Sequence, residues 1–114
     1  SYMEFDGMRT GGPSEWLKVA AICEKAGIPM VPHHGPLIHA HLVSAVSNGL
    51  MVEVFPNPAE YGPEDELEFT RWDRKYEMFS SYPEIVEGSL ILPDTPGWGF
   101  ELDEDAVGRL RVGQ

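Results

Sequence analysis

Apolar residues in the first half of the chain alternate between two patterns. Short apolar runs occur at 2–5 (YMEF), 28–31 (IPMV) and 50–55 (LMVEVF), and their length and composition predict buried strands. The segments between these runs repeat apolar residues at helical spacing. An order of strand, helix, strand, helix, strand is typical of parallel βαβ units, so the pattern predicts an α/β fold.

The first predicted helix has recognisable ends. Gly12 is expected as its N-cap, Pro13 takes the first helical position, where proline is favoured, and Gly27 is expected to end it in the left-handed conformation. A helix with one apolar face predicts packing on a sheet. That face comprises Trp16, Val19, Ala20 and Cys23, widened by Leu17, Ala21 and Ile22.

The second predicted helix begins at Leu37 and ends at the Asn48–Gly49 turn. Its apolar positions also follow helical spacing. They are Ile38, Leu42, Ala45 and Val46.

Beyond Phe55 the pattern changes to prolines, acidic residues and aromatic residues. Residues 67–79 (LEFTRWDRKYEMF) are compatible with a strand or a short amphipathic segment. Residues 88–102 predict a strand, a turn rich in proline and glycine, and a second extended segment. Residues 103–112 predict a short terminal helix capped by Asp103.

Composition narrows the class of protein. A chain of 114 residues has the size of one small domain or part of one. Its net charge of −11 would repel phosphate backbones, so we expect no nucleic-acid partner. No apolar run approaches the roughly 18 residues of a membrane span, so we expect no membrane partner. The first residues do not resemble a secretory signal, so we expect a cytoplasmic protein. Cys23 is the single cysteine and is predicted to be a buried thiol.

Three residues with proton-transfer chemistry follow the three predicted strands. Asp6 comes after the first strand, His33 after the second, and Glu53 lies near the end of the third. Ligands of parallel βα folds bind beyond the carboxyl ends of the strands, so these side chains are expected to converge, with Asp6 and His33 close enough to hydrogen-bond. Each residue alone has a structural explanation, as a turn former, a surface histidine or a solvated charge. Together they predict a site for proton transfer.

The remaining histidines are weaker candidates. His34 is expected to point away from His33 if the backbone is extended, and His39 and His41 face different directions on a helix. Zinc-binding histidines on a helix are usually four positions apart, so a zinc site is not expected. Both helical histidines are predicted to serve packing, and His41 to serve packing or hydrogen bonding. The acidic run 64–68 predicts a solvated surface, because it lacks the Asp/Asn/Gly spacing of a calcium loop.

Three stretches of the chain resemble a known family in order and spacing. They are FDGMRTGGPSEWLKVAAICEKAGIPMVPHHGPLIHAHL, NGLMVEVF and ILPDTPGWGFELDEDAV. Together they resemble the C-terminal third of an enolase-superfamily enzyme of the mandelate racemase/muconate lactonizing enzyme branch. Within that branch, the residues are most similar to those of acid-sugar dehydratases. The resemblance implies the C-terminal part of a modified TIM (β/α) barrel. Residues 1–55 would supply its last three strands and two helices, and 56–114 a loop-rich extension with a short hairpin and a terminal helix that packs on a capping domain.

The resemblance also implies roles for the candidate residues. Asp6 and His33 match the family's His-Asp dyad, and Glu53 matches the acid that hydrogen-bonds the substrate carboxylate. The implied reaction removes the proton alpha to a carboxylate, and in a dehydratase the imidazolium then assists loss of the beta hydroxyl. His34 is an alternative to His33, because an alignment shift of one residue would exchange them.

Mg²⁺ is the implied cofactor, but its ligands and the family's catalytic lysine motif belong to earlier strands that this sequence does not include. Asp6 and Glu53 cannot replace them, because Mg²⁺ needs several converging oxygens. The implied ligand is a small carboxylate or acid-sugar substrate. The implied protein partner is either further copies of the chain or the missing part of the barrel, because open sheet edges favour association. Two alternatives remain: a catalytically silent, oligomerising fragment, or a parent enzyme that is a racemase or cycloisomerase.

Overall fold

The computed structural model describes residues 1–54, 78–81 and 83–113. The regular elements of these ranges are three helices and a two-stranded hairpin. They are α1 (Pro13–Lys25), α2 (Pro36–Ser44), β1 (Ile85–Val86), β2 (Ser89–Leu90) and α3 (Glu104–Leu110).

Three extended segments lie side by side in parallel, in the order in which they occur in the chain. Met30 forms one parallel bridge with Met3 and a second with Gly49. The Val31 amide donates to the Met3 carbonyl at 2.9 Å, and the Leu50 amide to the Met30 carbonyl at 3.0 Å. The predicted parallel arrangement is therefore confirmed, although each pair shares a single bridge. The third pairing falls at Gly49, immediately before the predicted strand.

Helix α1 follows its sequence signals. Pro13 is its first residue after Gly12, and the chain leaves the helix at Gly27, whose φ is 67°. The Ile28 amide donates to the Cys23 carbonyl at 2.8 Å, which completes the hydrogen-bonding pattern of a glycine-terminated helix. Its buried residues are Trp16, Ala20 and Cys23. The predicted widening of the apolar face is wrong, because Leu17, Ala21 and Ile22 are exposed.

Helix α2 begins at Pro36 and ends at Ser44, earlier than predicted. The Asn48 side chain accounts for the difference. Its amide nitrogen donates to the Ala20 carbonyl at 3.1 Å and to the Ile28 carbonyl at 3.0 Å. These bonds tie the chain after α2 to α1 and to the second extended segment, so the backbone turns before a further helical turn can form.

The core lies where the two helices meet the parallel segments. Its buried members are Trp16, Ala20, Cys23, Met30 and Leu42. The Trp16 indole N–H donates to the Phe5 carbonyl at 2.9 Å, so the largest buried side chain is also tied to the residue before Asp6. Core packing therefore reaches the backbone of the first candidate site residue.

The C-terminal residues form a hairpin, an antiparallel contact and a helix. β1 and β2 are joined through Glu87 and Gly88, both at positive φ. The extended segment predicted after the proline-rich turn reaches Leu102, which forms an antiparallel bridge with Phe79.

The predicted cap of the terminal helix is confirmed. Asp103 Oδ1 accepts a hydrogen bond from the Ala106 amide at 2.9 Å, and α3 follows it.

Two sequence interpretations lie outside the described residues: the acidic run 64–68 and positions 67–77 of the predicted 67–79 segment. Within the described ranges, no helix is long and apolar enough to cross a membrane.

Candidate active site

The three candidate residues lie at one edge of the parallel segments. Asp6, His33 and Glu53 each follow a residue that takes part in a parallel bridge, and all three segments run in the same direction. Their ends therefore meet at the same side, as expected for a ligand site of a βα fold.

Asp6 and His33 face each other across this edge. Asp6 Oδ2 lies 3.8 Å from His33 Nδ1, and the two side chains are 14% and 43% exposed. This separation is within the range of an ion pair but longer than a hydrogen bond. The expected convergence is present, while a direct hydrogen bond between the two groups is not.

The two oxygens of Asp6 have different surroundings. Oδ1 accepts a hydrogen bond from the Met8 amide at 2.8 Å, which fixes the carboxylate within its own loop. Oδ2 lies 3.5 Å from Arg9 Nε as well as near His33. The carboxylate is thus held by the loop while one oxygen remains directed to the imidazole and the guanidinium.

Glu53 reaches the same loop from the third segment. Its Oε2 accepts a hydrogen bond from the His34 amide at 2.8 Å. His34 has a φ of 60°, which is uncommon for a residue other than glycine. The rings of His33 and His34 were expected to point apart only on an extended backbone, and the backbone at His34 is left-handed; the ring centroids lie 5.8 Å apart in an edge-to-face arrangement.

His39 has a larger part in this region than the sequence indicated. The sequence predicted a packing role, and the ring of His39 is completely buried. Nε2 accepts a hydrogen bond from the Gly7 amide at 3.0 Å, and Nδ1 lies 2.5 Å from the His34 carbonyl oxygen. The sequence shows a histidine on the apolar side of α2, which indicates burial. It does not show the hydrogen-bond partners Gly7 and His34, because they lie in loops whose positions the hydrophobic pattern does not predict.

His41 agrees with its prediction as a packing and hydrogen-bonding residue. Its Nε2 donates to the Trp98 carbonyl at 2.9 Å, and its ring lies 5.4 Å from the Trp98 ring and 6.4 Å from the Phe100 ring. These contacts hold the C-terminal segment against α2.

The arrangement has the parts of a proton-transfer site. An imidazole can accept or donate a proton near neutral pH, and a carboxylate beside it favours the charged form. The His33 side chain is partly exposed, whereas that of Asp6 is largely covered. A second carboxylate, on Glu53, lies against the same histidine loop.

The comparison with protein families shows the family of this domain. Residues 1–106 match the family described as Enolase C-terminal domain-like. The chain belongs to this family. The resemblance seen in the sequence is therefore confirmed, and so is the α/β class of this enolase-superfamily domain.

The chain is similar to several enzymes of the superfamily. It is 29% identical over 100 residues to the arabinonate dehydratase of Saccharolobus solfataricus, covering 88% of this chain and 24% of that enzyme. It is 30% identical over 105 residues to the D-galactarolactone cycloisomerase of Agrobacterium fabrum, covering 90% and 27%. The chain thus spans about a quarter of the length of these relatives.

Solved structures give the same result. A mandelate racemase/muconate lactonizing enzyme matches with a TM-score of 0.78 and 29% identity, covering 96% of this chain and 27% of that one. The L-talarate dehydratase of Polaromonas sp. JS666, complexed with Mg and L-glucarate, matches with a TM-score of 0.73 and 28% identity, covering 94% and 25%.

The described residues of this enolase-superfamily domain do not fit a magnesium site of their own. They include no group of three or more His, Cys, Asp or Glu side chains placed to hold a metal ion. Asp6 Oδ1 and Glu53 Oε2 already accept backbone hydrogen bonds from Met8 and His34. Mg²⁺ prefers several oxygens in octahedral geometry, and the described part of this chain does not gather them.

Proposed function

We propose that this chain is the C-terminal part of a Mg²⁺-dependent enzyme that removes the proton alpha to a carboxylate, and that the enzyme is an acid-sugar dehydratase. The observation that carries the proposal is the pairing of Asp6 and His33 at 3.8 Å on the shared edge of the parallel segments. The similarity to an arabinonate dehydratase supports dehydration of a sugar acid.

The proposal assigns residues 1–55 to the last three strands and two helices of a (β/α) barrel and residues 56–114 to a C-terminal extension. Two features support it: the parallel order of the three segments and the helices α1 and α2 that connect them. Earlier barrel strands and a capping domain would come from sequence that precedes this part in the longer relatives, together with the groups that bind Mg²⁺.

His33 is proposed to transfer the proton. With Nδ1 towards Asp6 Oδ2, its Nε2 is the atom that accepts the proton from the substrate alpha carbon. The electron pair of the broken C–H bond then passes into the carboxylate, giving an enediolate. In the second step the electrons return to form the carbon–carbon double bond, and the beta hydroxyl leaves as water with the proton that His33 Nε2 had accepted.

Asp6 and Glu53 are proposed to assist this transfer. The negative charge of Asp6 stabilises the imidazolium while its bond from the Met8 amide keeps it in place. The bond from the His34 amide holds Glu53 Oε2, which leaves Oε1 as the oxygen that would hydrogen-bond the substrate carboxylate.

Two other functions are distinguishable by experiment. Similarity to a D-galactarolactone cycloisomerase favours a related reaction that begins with the same proton abstraction. The second is a catalytically silent fragment that associates through its open edges, and the exposed side chains of Leu50 and Met51 at the third segment favour it. We further propose that the protein is cytoplasmic.

The direct test is to incubate the protein with Mg²⁺ and a library of acid sugars, alone and together with the N-terminal three quarters of an arabinonate dehydratase. Formation of a 2-keto-3-deoxy product in either mixture supports the proposal, and a lactone-derived isomer would instead favour the cycloisomerase. No turnover in either mixture, with the chain forming stable homo-oligomers, would support the silent fragment.

A further inference from the structure

We propose that His39 is a positioning residue, which sets the separation of Asp6 and His33 by bridging the loops that carry them. The inference rests on the proposed function only for its catalytic consequence. The bridge itself is a statement about geometry that can be tested without turnover.

The two hydrogen bonds of the ring connect residues adjacent to the dyad. Gly7, which donates to Nε2 at 3.0 Å, directly follows Asp6, and His34, whose carbonyl is 2.5 Å from Nδ1, directly follows His33. A single side chain on α2 thereby joins the ends of two neighbouring parallel segments. Any displacement of the ring would move one loop relative to the other.

The bonds also fix the tautomer of the ring. A backbone N–H can only donate and a carbonyl oxygen can only accept, so Nε2 must be unprotonated and Nδ1 must carry the hydrogen. A second proton on Nε2 would point at the Gly7 amide hydrogen and break the bridge. Asp6 Oδ1 lies 3.9 Å from Nε2, beyond hydrogen-bond distance, and is already bonded to the Met8 amide.

Packing leaves the ring little freedom. It is 0% exposed, and its centroid lies 6.5 Å from that of Trp16 in the core. A methyl group at Gly7 would lie 3.2 Å from Nε2, and one at Gly35 would lie 3.2 Å from Nδ1. The two glycines therefore allow the backbone to approach the ring closely enough for both bonds.

The bridge extends to the third segment through His34. Its carbonyl accepts from His39 and its amide donates to Glu53 Oε2 at 2.8 Å. The amide and the carbonyl of His34 are therefore both hydrogen-bonded, which stabilises its left-handed backbone. All three candidate residues are connected to one buried ring by way of main-chain groups.

The test compares three variants in the complete enzyme with Mg²⁺ bound. His39→Leu removes both bonds, His39→Asn retains a donor near the position of Nδ1 and loses the acceptor for Gly7, and His41→Phe is the matched control on the same helix. The readouts are exchange of the substrate alpha proton in D₂O, kcat and KM measured separately, and the thermal midpoint.

We expect His39→Leu to lower kcat and alpha-proton exchange about a hundredfold with KM little changed, because a shift of about 1 Å in reacting groups has that effect. His39→Asn should be intermediate, and His41→Phe should retain kcat even where it lowers the midpoint. Equal losses of kcat in His39→Leu and His41→Phe would overturn the proposal, since they would indicate general destabilisation.

Two structural measurements keep the inference testable if His39→Leu does not fold or if no substrate turns over. Nitrogen-15 NMR of the wild-type ring should show the Nδ1–H tautomer, and the Nε2–H tautomer would overturn the bridge. A crystal structure of His39→Asn should show Asp6 and His33 further apart than in the wild type, and an unchanged separation would contradict positioning. Absence of turnover in the wild type would count against the proposed function alone.

Discussion

Replacing Trp16 by Phe tests how far the core supports the candidate site. The indole is 0% exposed, and its N–H is bonded to the carbonyl of Phe5, the residue before Asp6. Loss of that bond leaves a part-buried carbonyl without its partner, at a cost of about 1–3 kcal/mol. The two ring carbons that phenylalanine lacks contribute about 1.6 kcal/mol more, at ~0.8 kcal/mol per buried carbon group. The expected loss in local stability is therefore about 2.6–4.6 kcal/mol.

Native-state hydrogen exchange measures this loss where it occurs. The Ala20 and Cys23 amides of α1 should exchange about a hundredfold to a thousandfold faster in Trp16→Phe, since each 1.4 kcal/mol of opening free energy is a factor of ten. Trp98→Phe is the matched control, because its ring is 42% exposed and lies on the C-terminal segment. Equal exchange rates of these amides in the two variants would refute the reasoning.

The remaining predictions concern three positions with specific backbone or capping requirements. Gly49→Ala should prevent the pairing with Met30 and lower the thermal midpoint by more than about 5 °C, because the added Cβ would overlap the Val43 carbonyl. Gly108→Ala is the control in the same melting experiment: no other atom lies within 4 Å of its Cβ, and the free energy of unfolding should rise by about 0.5–1 kcal/mol. Asp103→Ala should destabilise α3 by about 1 kcal/mol through loss of the bond from the Ala106 amide, seen as faster amide exchange in α3 and not in α1. In denaturant unfolding, the free energy of unfolding of His34→Val should be lower than that of His34→Asn by about 1–3 kcal/mol, because a β-branched residue is strained at a φ of 60° whereas asparagine tolerates it. Equal unfolding midpoints of the two variants would contradict this.

The features best predicted from the sequence are those that depend on neighbouring residues. Gly12, Pro13 and Gly27 mark the ends of α1, and Asp103 marks the start of α3, because caps are formed within a few residues of the helix. The parallel order of three segments was also predictable from the alternation of patterns. It follows from general rules of connection and handedness.

The features that were missed depend on contacts between distant residues. Helix α2 ends early because Asn48 binds carbonyls of Ala20 and Ile28, and no local pattern shows those partners. The position of His39 at the centre of the site depends on Gly7, which is 32 residues away in the chain. Leu17 and Ile22 are exposed although they are apolar, since periodicity alone does not define how wide the covered face of α1 is.

For the candidate site, the convergence of its residues at one edge was predictable, whereas their contacts were not. Asp6, His33 and Glu53 were found because parallel segments place their ends at one edge. Their hydrogen bonds were not predictable, since the left-handed backbone at His34 decides which group Glu53 contacts. The assignment of His33 as the proton-transfer residue, with His34 as its alternative, stays a prediction.

The measurement that tests this assignment most directly is alpha-proton exchange of an acid-sugar substrate in D₂O by the complete enzyme, compared between His33→Asn and His34→Asn. The same replacement is made at both positions, and asparagine tolerates the left-handed backbone of His34. The proposal predicts that His33→Asn abolishes exchange and that His34→Asn retains it. Exchange that survives in His33→Asn and is lost in His34→Asn would contradict the account.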